Sequence, residues 1–220
     1  MPTRFSELTL DKYMKVVEIH NRKDFEPIKK MIETLSILTE IDSDDIRNIN
    51  MEQINLLQSN IQFMFQSTVQ NLVPTFEIDG VEYGFNNELS MASFGEFIDL
   101  ETTASPENIG EKLPLLMAIL YRPVTSKRRH NIYNWIFKNI KHKEDTYKIE
   151  PYKIEGLEDR AFIFRQKLTM DVVLGAMFFF TLFALASIHS SKGCSKREIL
   201  MEMKKYLNQN GITLQENGVF

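Results

Sequence analysis

The segment TFEIDGVEYGF, residues 75–85, constrains the fold of this chain more than any other stretch. Apolar and polar residues alternate on both sides of Asp79-Gly80, and an Asp-Gly pair between two alternating runs is a strong signal for a two-residue β-hairpin. A loop of this length also fixes the register of the two strands. The predicted cross-strand pairs are Ile78 with Val81, Phe76 with Tyr83, and Glu77 with Glu82.

The pairing of Glu77 with Glu82 sets two conditions on the surroundings of the hairpin. Like charges directly opposite each other disfavour a strand pair, so a cation is expected nearby. An isolated hairpin is also marginally stable in water, so this one must lie on the helices or on another chain.

The residues before the hairpin have the period of helices. Apolar residues recur at three- and four-residue spacing after Thr9, which can cap a helix, and after Pro27, which suits a first helical turn. Ser43, followed by two acids, predicts a short helix through Ile49, and a fourth helix is expected over residues 51–68. We therefore predict a mainly α (α+β) fold, a multi-helix bundle with one small β-hairpin around residues 75–85.

Five further segments follow the hairpin. The segment SMASFGEFIDLE predicts a helix containing Phe94, Phe97 and Ile98. A second helix is expected from Pro106 to an end at Tyr121-Arg122-Pro123, with Pro114 as a kink or as its true start. Residues 124–153 are basic and irregular with a short helix near 131–141, and residues 158–190 predict one long helix before a last helix capped by Ser195. The predicted organisation is a helical domain with the hairpin over 1–123 and a basic segment with a C-terminal helical pair over 124–220, although the two could form one continuous domain.

Composition and motifs argue against an enzyme. The 220 residues are 43% hydrophobic and 25% charged, a globular balance, and the net charge of −4 gives no general attraction to nucleic acid. Phosphate-binding loops, dinucleotide fingerprints, HExxH, CxxC and GxSxG motifs are absent from the sequence, so we predict no catalytic, cofactor-binding or metal-binding residues and no cofactor. The single cysteine, Cys194, and a start without an apolar leader favour a reducing cytoplasm.

The uncharged run over residues 172–188 has two interpretations. A helix of this length spans about 26 Å, slightly less than the ~30 Å hydrocarbon core of a bilayer. A helix buried among other helices or subunits explains the same composition. We favour the buried helix, because Asp171 precedes the run and no aromatic belt flanks it.

A basic block between residues 127 and 143 is the one candidate contact site in the sequence. It contains no acid, and aromatic residues are interleaved with its cations, which are Lys127, Arg128, Arg129, Lys138, Lys141 and Lys143. The cations can form a solvated helix face, pair with an acidic surface of another subunit such as residues 33–52, or bind phosphates while the aromatics stack on bases.

Three phrases in the sequence resemble proteins of tailed bacteriophages, including crAss-like phages of Bacteroidetes-type hosts. They are LTLDKYMKVVEI, SMASFGEFIDLE and LPLLMAILYRPV, followed later by the phenylalanine-rich GAMFFFTLFAL. The resemblance implies a structural, tail or tail-assembly protein located in the virion, and in the host cytoplasm during assembly. It also implies other phage structural proteins as partners and supplies no functional residues.

The functional prediction combines this resemblance with the missing active-site motifs. We expect a non-enzymatic virion protein, either a multi-copy component of the neck or tail (a portal-proximal ring or the tail itself) or a tail-assembly factor, acting through protein-protein contacts as a homo-oligomer. Interfaces that repeat head to tail close into rings when the rotation between subunits allows it. The alternative is a cytoplasmic nucleic-acid-binding accessory protein that uses the basic block; a membrane role is less favoured.

Overall fold

The computed structural model of the chain describes residues 1–65, 71–86, 89, 92–104, 109–127 and 147–191. The chain forms two compact units, the first made of Met1–Leu72 with the residues from Leu168 onward, and the second made of Val73–Lys167. This division differs from the predicted one at 123/124. The difference arises because strand pairing continues through Pro123, while the backbone of Leu10 bonds to Leu168.

The first unit is helical. Side-chain caps begin several of its helices. Thr9 accepts a hydrogen bond from the amide of Lys12, as predicted, and Asn50, which was not predicted as a cap, accepts one from the amide of Gln53. The helices in its N-terminal part are α1 (Leu10–Asn21), α2 (Pro27–Thr39), α3 (Ser43–Arg47) and α4 (Met51–Ile61), with a 3₁₀ turn at Phe5–Glu7 and another at Gln62–Phe65.

Two predicted boundaries in this unit are wrong. The cap of α3 is Asp42 instead of Ser43, because the Asp42 carboxylate accepts a hydrogen bond from the amide of Asp44 at 2.9 Å, and the helix ends at Arg47. The helix α4 ends at Ile61 and tightens into the 3₁₀ turn. Residues 66–68 of the longer predicted helix lie outside the described residues.

The predicted long helix over residues 158–190 is two helices, α7 (Leu157–Lys167) and α8 (Met170–Ser191). Thr169 between them forms an isolated antiparallel bridge with Thr9, with Leu10 donating its amide to the Leu168 carbonyl and Met170 donating to Leu8, both at 2.8 Å. An extended backbone at this point cannot also be helical, so a contact distant in sequence ends α7.

In its described residues, the second unit combines a sheet with three helices. The sheet has the order β1-β2-β3-β4 and is antiparallel throughout. Its elements are β1 (Thr75–Ile78), β2 (Val81–Phe85), α5 (Phe94–Thr103), α6 (Ile109–Leu120), β3 (Tyr121–Lys127), β4 (Tyr147–Ile149) and α7.

The structure confirms the hairpin and its register. Phe76 lies opposite Tyr83, and Glu77 lies opposite Glu82. Asp79 and Gly80 have φ of 53° and 78°, the left-handed values that a type I′ turn requires. The expected cation is Lys127, whose ammonium forms an ion pair with Glu82.

The expectation of an irregular chain after residue 124 is wrong where the structure describes it. The helix α6 contains Pro114 in its interior, ends at Leu120, just before the predicted end at Tyr121-Arg122-Pro123, and passes directly into β3. This strand lies between β2 and β4, so the hairpin is half of a four-stranded sheet. The predicted helix near 131–141 and the last helix from Ser195 lie outside the described residues.

The mainly α (α+β) fold class is confirmed. In the second unit the sheet and α7 share an aromatic cluster, in which the Phe164 ring lies 4.9 Å from Tyr83 and 5.6 Å from Phe76, and the Tyr121 ring lies 4.9 Å from Phe76. In the first unit Leu8, Leu10, Leu35 and Leu38 are fully buried. Across the described part of the chain, we find no helix with the length and apolar character needed to cross a bilayer.

Candidate functional site

The basic block enters the structure only at its first residue. Lys127 ends β3, its ammonium pairs with the carboxylate of Glu82, and its side chain is about half exposed. The other five cations, Arg128, Arg129, Lys138, Lys141 and Lys143, lie outside the described residues. The structure therefore assigns Lys127 a contact within the sheet and does not bring the block together.

Part of the acidic stretch over residues 33–52 is also engaged within its own unit. Glu40 forms an ion pair with Lys12 at 2.7 Å, and the hydrogen bond from Lys12 lowers the pKa of the Glu40 carboxyl. Asp42 caps α3. These two acids have local structural roles.

The helix α5 has its polar and apolar residues in an unusual arrangement. The residues that face inward are Glu96, Leu100 and Thr103, all buried. The large apolar residues are exposed: Phe94 to 80%, Phe97 to 56% and Ile98 to 43%. We call this outward row, together with Glu101 one turn further on, the α5 stripe.

A buried ion pair explains which face of α5 points inward. The Glu96 carboxylate lies 3.3 Å from the Arg122 guanidinium of β3 and accepts a hydrogen bond of 2.8 Å from the Asn86 amide. All three residues are at most 5% exposed. Burial lowers the pKa of Arg122, and Glu96 opposes that shift. The Arg122 Nε has no hydrogen-bond partner in the described structure.

Two more contacts hold α5, one at its N-terminus and one near its middle. Ser93 caps the helix by accepting a hydrogen bond from the amide of Glu96 at 3.2 Å. On the other side Tyr152 donates a hydrogen bond to the Asp99 carboxylate, and burial together with this bond raises the pKa of the Tyr152 hydroxyl. The rotation of α5 about its axis is therefore set by polar groups on its inner side.

The consequence is an apolar surface on a fixed helix. Turning α5 to bury Phe94 and Phe97 would carry Glu96 toward solvent and leave Arg122 buried without its carboxylate, a state of high free energy. Phe94, Phe97, Ile98 and Glu101 follow the i, i+3, i+4, i+7 spacing of one helix face. Such a surface suits contact with another protein.

Sequence reasoning identified α5 but missed its ion pair. Glu96 and Arg122 both lie inside the phrases that carry the phage resemblance, FGEFIDLE and LYRPV. An available signal was Ser93 followed by Glu96, the spacing of a capping box. That pattern locates the helix start and gives no indication that the acid is buried.

The first unit contains a cleft of about 500 Å³. His20 lies here, with its Nε2 3.3 Å from the Thr34 hydroxyl. The residues that line the cleft are His20, Phe25, Pro27, Lys30, Met31, Thr34, Gln58, Ile61 and Gln62. This lining contains no carboxylate or thiol to act with the imidazole, and in the described ranges no three metal-binding side chains come together.

Comparisons with protein family models, with curated proteins and with solved structures found no match to this chain.

Proposed function

We propose that this chain is a non-enzymatic component of a tailed bacteriophage, either a multi-copy part of the neck or tail or a tail-assembly factor, and that it acts through protein-protein contacts. The observation that carries the proposal is the α5 stripe, in which three large apolar side chains are exposed on a helix held by a buried ion pair. The sequence resemblance to phage proteins supports the same role.

The stripe is large enough to contribute to a stable contact. A phenylalanine buries roughly 150–250 Å² when covered, so the exposed parts of Phe94, Phe97 and Ile98 amount to roughly 300 Å² of apolar surface. At about 25 cal/mol per Å², covering it contributes about 7 kcal/mol before the entropic cost of association. The face is also pre-organised, because α5 needs no rearrangement to present it.

The mass of the purified chain in solution tests the proposal. Light scattering without detergent, combined with a salt titration, should give a defined oligomer well above the 25.7 kDa of one chain. In parallel, an antibody against the chain should detect it in purified phage particles or in assembly intermediates. A strictly monomeric chain that is absent from both would overturn the proposal.

A further inference from the structure

Glu101 gives the α5 stripe a charge as well as an apolar surface. It is exposed and lies in the last turn of α5, where the negative end of the helix dipole disfavours an acid. The other two acids of α5 are engaged, Glu96 by Arg122 and Asp99 by Tyr152, whereas no described residue forms an ion pair with Glu101. A cation placed beside the stripe would relieve this unfavourable charge.

The chain contains a segment of matching chemistry, residues 128–143, here called the basic segment. Its sequence RRHNIYNWIFKNIKHK combines five lysines and arginines with six large apolar residues and contains no acid. Its charge and apolar content are thus complementary to those of the α5 stripe, which has three large apolar residues and one free acid.

The basic segment belongs to a long connection between two paired strand residues. Residues 128–146 connect Lys127 to Tyr147, and these two residues pair with each other across β3 and β4. A connection of 19 residues is much longer than joining two paired strand residues requires, so its length leaves residues for contact with a neighbouring molecule.

We propose that the α5 stripe of one copy binds the basic segment of a second copy of this chain. The inference rests on the proposed function, since it names the contact by which a multi-copy component assembles. The two surfaces differ, so the interface is heterologous and each copy presents one stripe and one basic segment. Repetition of such a contact generates a ring if the rotation between copies closes, and a filament if it does not.

Charge reversal on either side tests the contact in the full chain. Glu101→Lys damages the stripe, and Arg128→Glu with Arg129→Glu damages the basic segment; each change should weaken self-association at least tenfold, measured by sedimentation over a concentration series. Glu155→Lys, an exposed acid outside the stripe, is the matched charge control and should leave the mass distribution unchanged. Circular dichroism checks that every variant is folded.

A matched pair of substitutions tests the apolar part of the contact. Phe97→Ser should weaken self-association to a similar extent, whereas Phe162→Ser on α7, where the phenylalanine is 66% exposed, should have no effect. Both substitutions remove one exposed ring from a helix, so a difference between them reports the contact and not a general change in solubility.

Mixing the two charge variants gives the most specific result. The Glu101→Lys chain keeps an intact basic segment, and the Arg128→Glu/Arg129→Glu chain keeps an intact stripe, so their mixture should form dimers or larger species that neither forms alone. A mixture that stays monomeric, or an oligomer that Glu101→Lys does not weaken, overturns this inference while the proposed function stands. A wild-type chain that is monomeric at every concentration overturns this inference, and the proposed function falls with it only if the chain is also absent from particles and assembly intermediates.

Discussion

Glu96 and Arg122 are two charges held inside the second unit with little access to water. Removing such charges from water costs several kcal/mol per ion, and their mutual attraction offsets this cost only when the geometry is good. The hydrogen bond from Asn86 to Glu96 adds to that offset, while the unpartnered Arg122 Nε subtracts from it. The pair therefore contributes less to net stability than to specifying the rotation of α5.

Removing one member of the pair should cost far more than removing both. Arg122→Met or Glu96→Met leaves an uncompensated buried charge, and each should lower the free energy of unfolding by about 3–5 kcal/mol. The double variant should be destabilised by clearly less than the sum, as measured by urea denaturation in a double-mutant cycle. Arg4→Met, which breaks an exposed pair with Glu7, is the control and should change stability little. Additive losses would show that Glu96 and Arg122 are not coupled.

We expect the folded chain to lose stability at alkaline pH because of Tyr152. Burial and the bond to Asp99 raise the pKa of its hydroxyl above the ordinary value of 10.0. At a pH between the pKa of the unfolded chain and the raised pKa of the folded chain, the folded chain keeps a proton that the unfolded chain releases. The stabilisation of the fold by the Tyr152 hydroxyl is therefore complete below pH 10 and is lost as the pH rises above it.

Urea midpoints measured between pH 9 and 11 check this expectation. The midpoint of the wild-type chain should fall with pH, and that of Tyr152→Phe should fall less steeply. Tyr83, whose pKa burial also raises, accounts for part of the remaining slope. Equal slopes for the two chains would contradict the role assigned to Tyr152.

At the scale of the elements, the sheet depends on the close approach of the Tyr147 ring to the backbone of Gly84. A Cβ atom built on Gly84 in β2 would lie 2.5 Å from the Tyr147 ring of β4, and the Tyr147 hydroxyl donates a hydrogen bond of 2.9 Å to the Phe85 carbonyl. The absence of a side chain at Gly84 thus allows the ring to lie across the sheet and hold the short strand β4.

Substitution of two glycines should therefore have opposite effects. Gly84→Ala displaces the Tyr147 ring and should destabilise the chain by about 1–3 kcal/mol. Gly95→Ala, in the first turn of α5 with open space around it, should stabilise the chain by about 0.5 kcal/mol. Thermal unfolding of both variants gives the comparison. A Gly84→Ala chain as stable as wild type would mean that Tyr147 adjusts without loss.

The elements that sequence predicted well are those fixed by local chemistry. The hairpin follows from Asp79-Gly80 and the alternation around it, and α1 follows from Thr9 and its apolar period. The sequence does not indicate the start of β3, because Pro123 and the nearby cations are poor strand signals. It does not indicate the break between α7 and α8 either, because that break depends on the pairing of Thr169 with the distant Thr9. The Glu96 to Arg122 pair was likewise hidden, since charged residues are usually solvated and nothing local marks this pair as buried.

At the scale of the whole molecule, the first unit is discontinuous in sequence. Leu8 and Leu10 bond to Met170 and Leu168, and Gly175 of α8 meets the backbone of Asn71 so closely that a Cβ atom would collide with the Asn71 carbonyl. The second unit is the continuous stretch between these two parts. Each unit has its own buried residues, so the two should respond differently to truncation.

Two truncated chains test whether the units fold independently. The fragment Val73–Lys167 contains all four strands with α5, α6 and α7, and should unfold cooperatively on its own. The fragment Met1–Lys167 lacks the partners of Leu8 and Leu10, so its first unit should lose protection while its second unit keeps it. Hydrogen exchange read by mass spectrometry distinguishes the two, and uniform protection across Met1–Lys167 would contradict the division.

The bridge between Thr9 and Thr169 also affects the order in which the two units can fold during synthesis. Residues 1–72 leave the ribosome first, yet the strand-like contact that anchors α1 becomes possible only after residue 169 has emerged. At ~5–20 residues per second, the intervening unit takes roughly 5–20 s to be made, long enough for it to fold. The unit encoded second is therefore completed first, and the N-terminal helices, with their apolar faces uncovered, are the part of the nascent chain that chaperones have most time to bind.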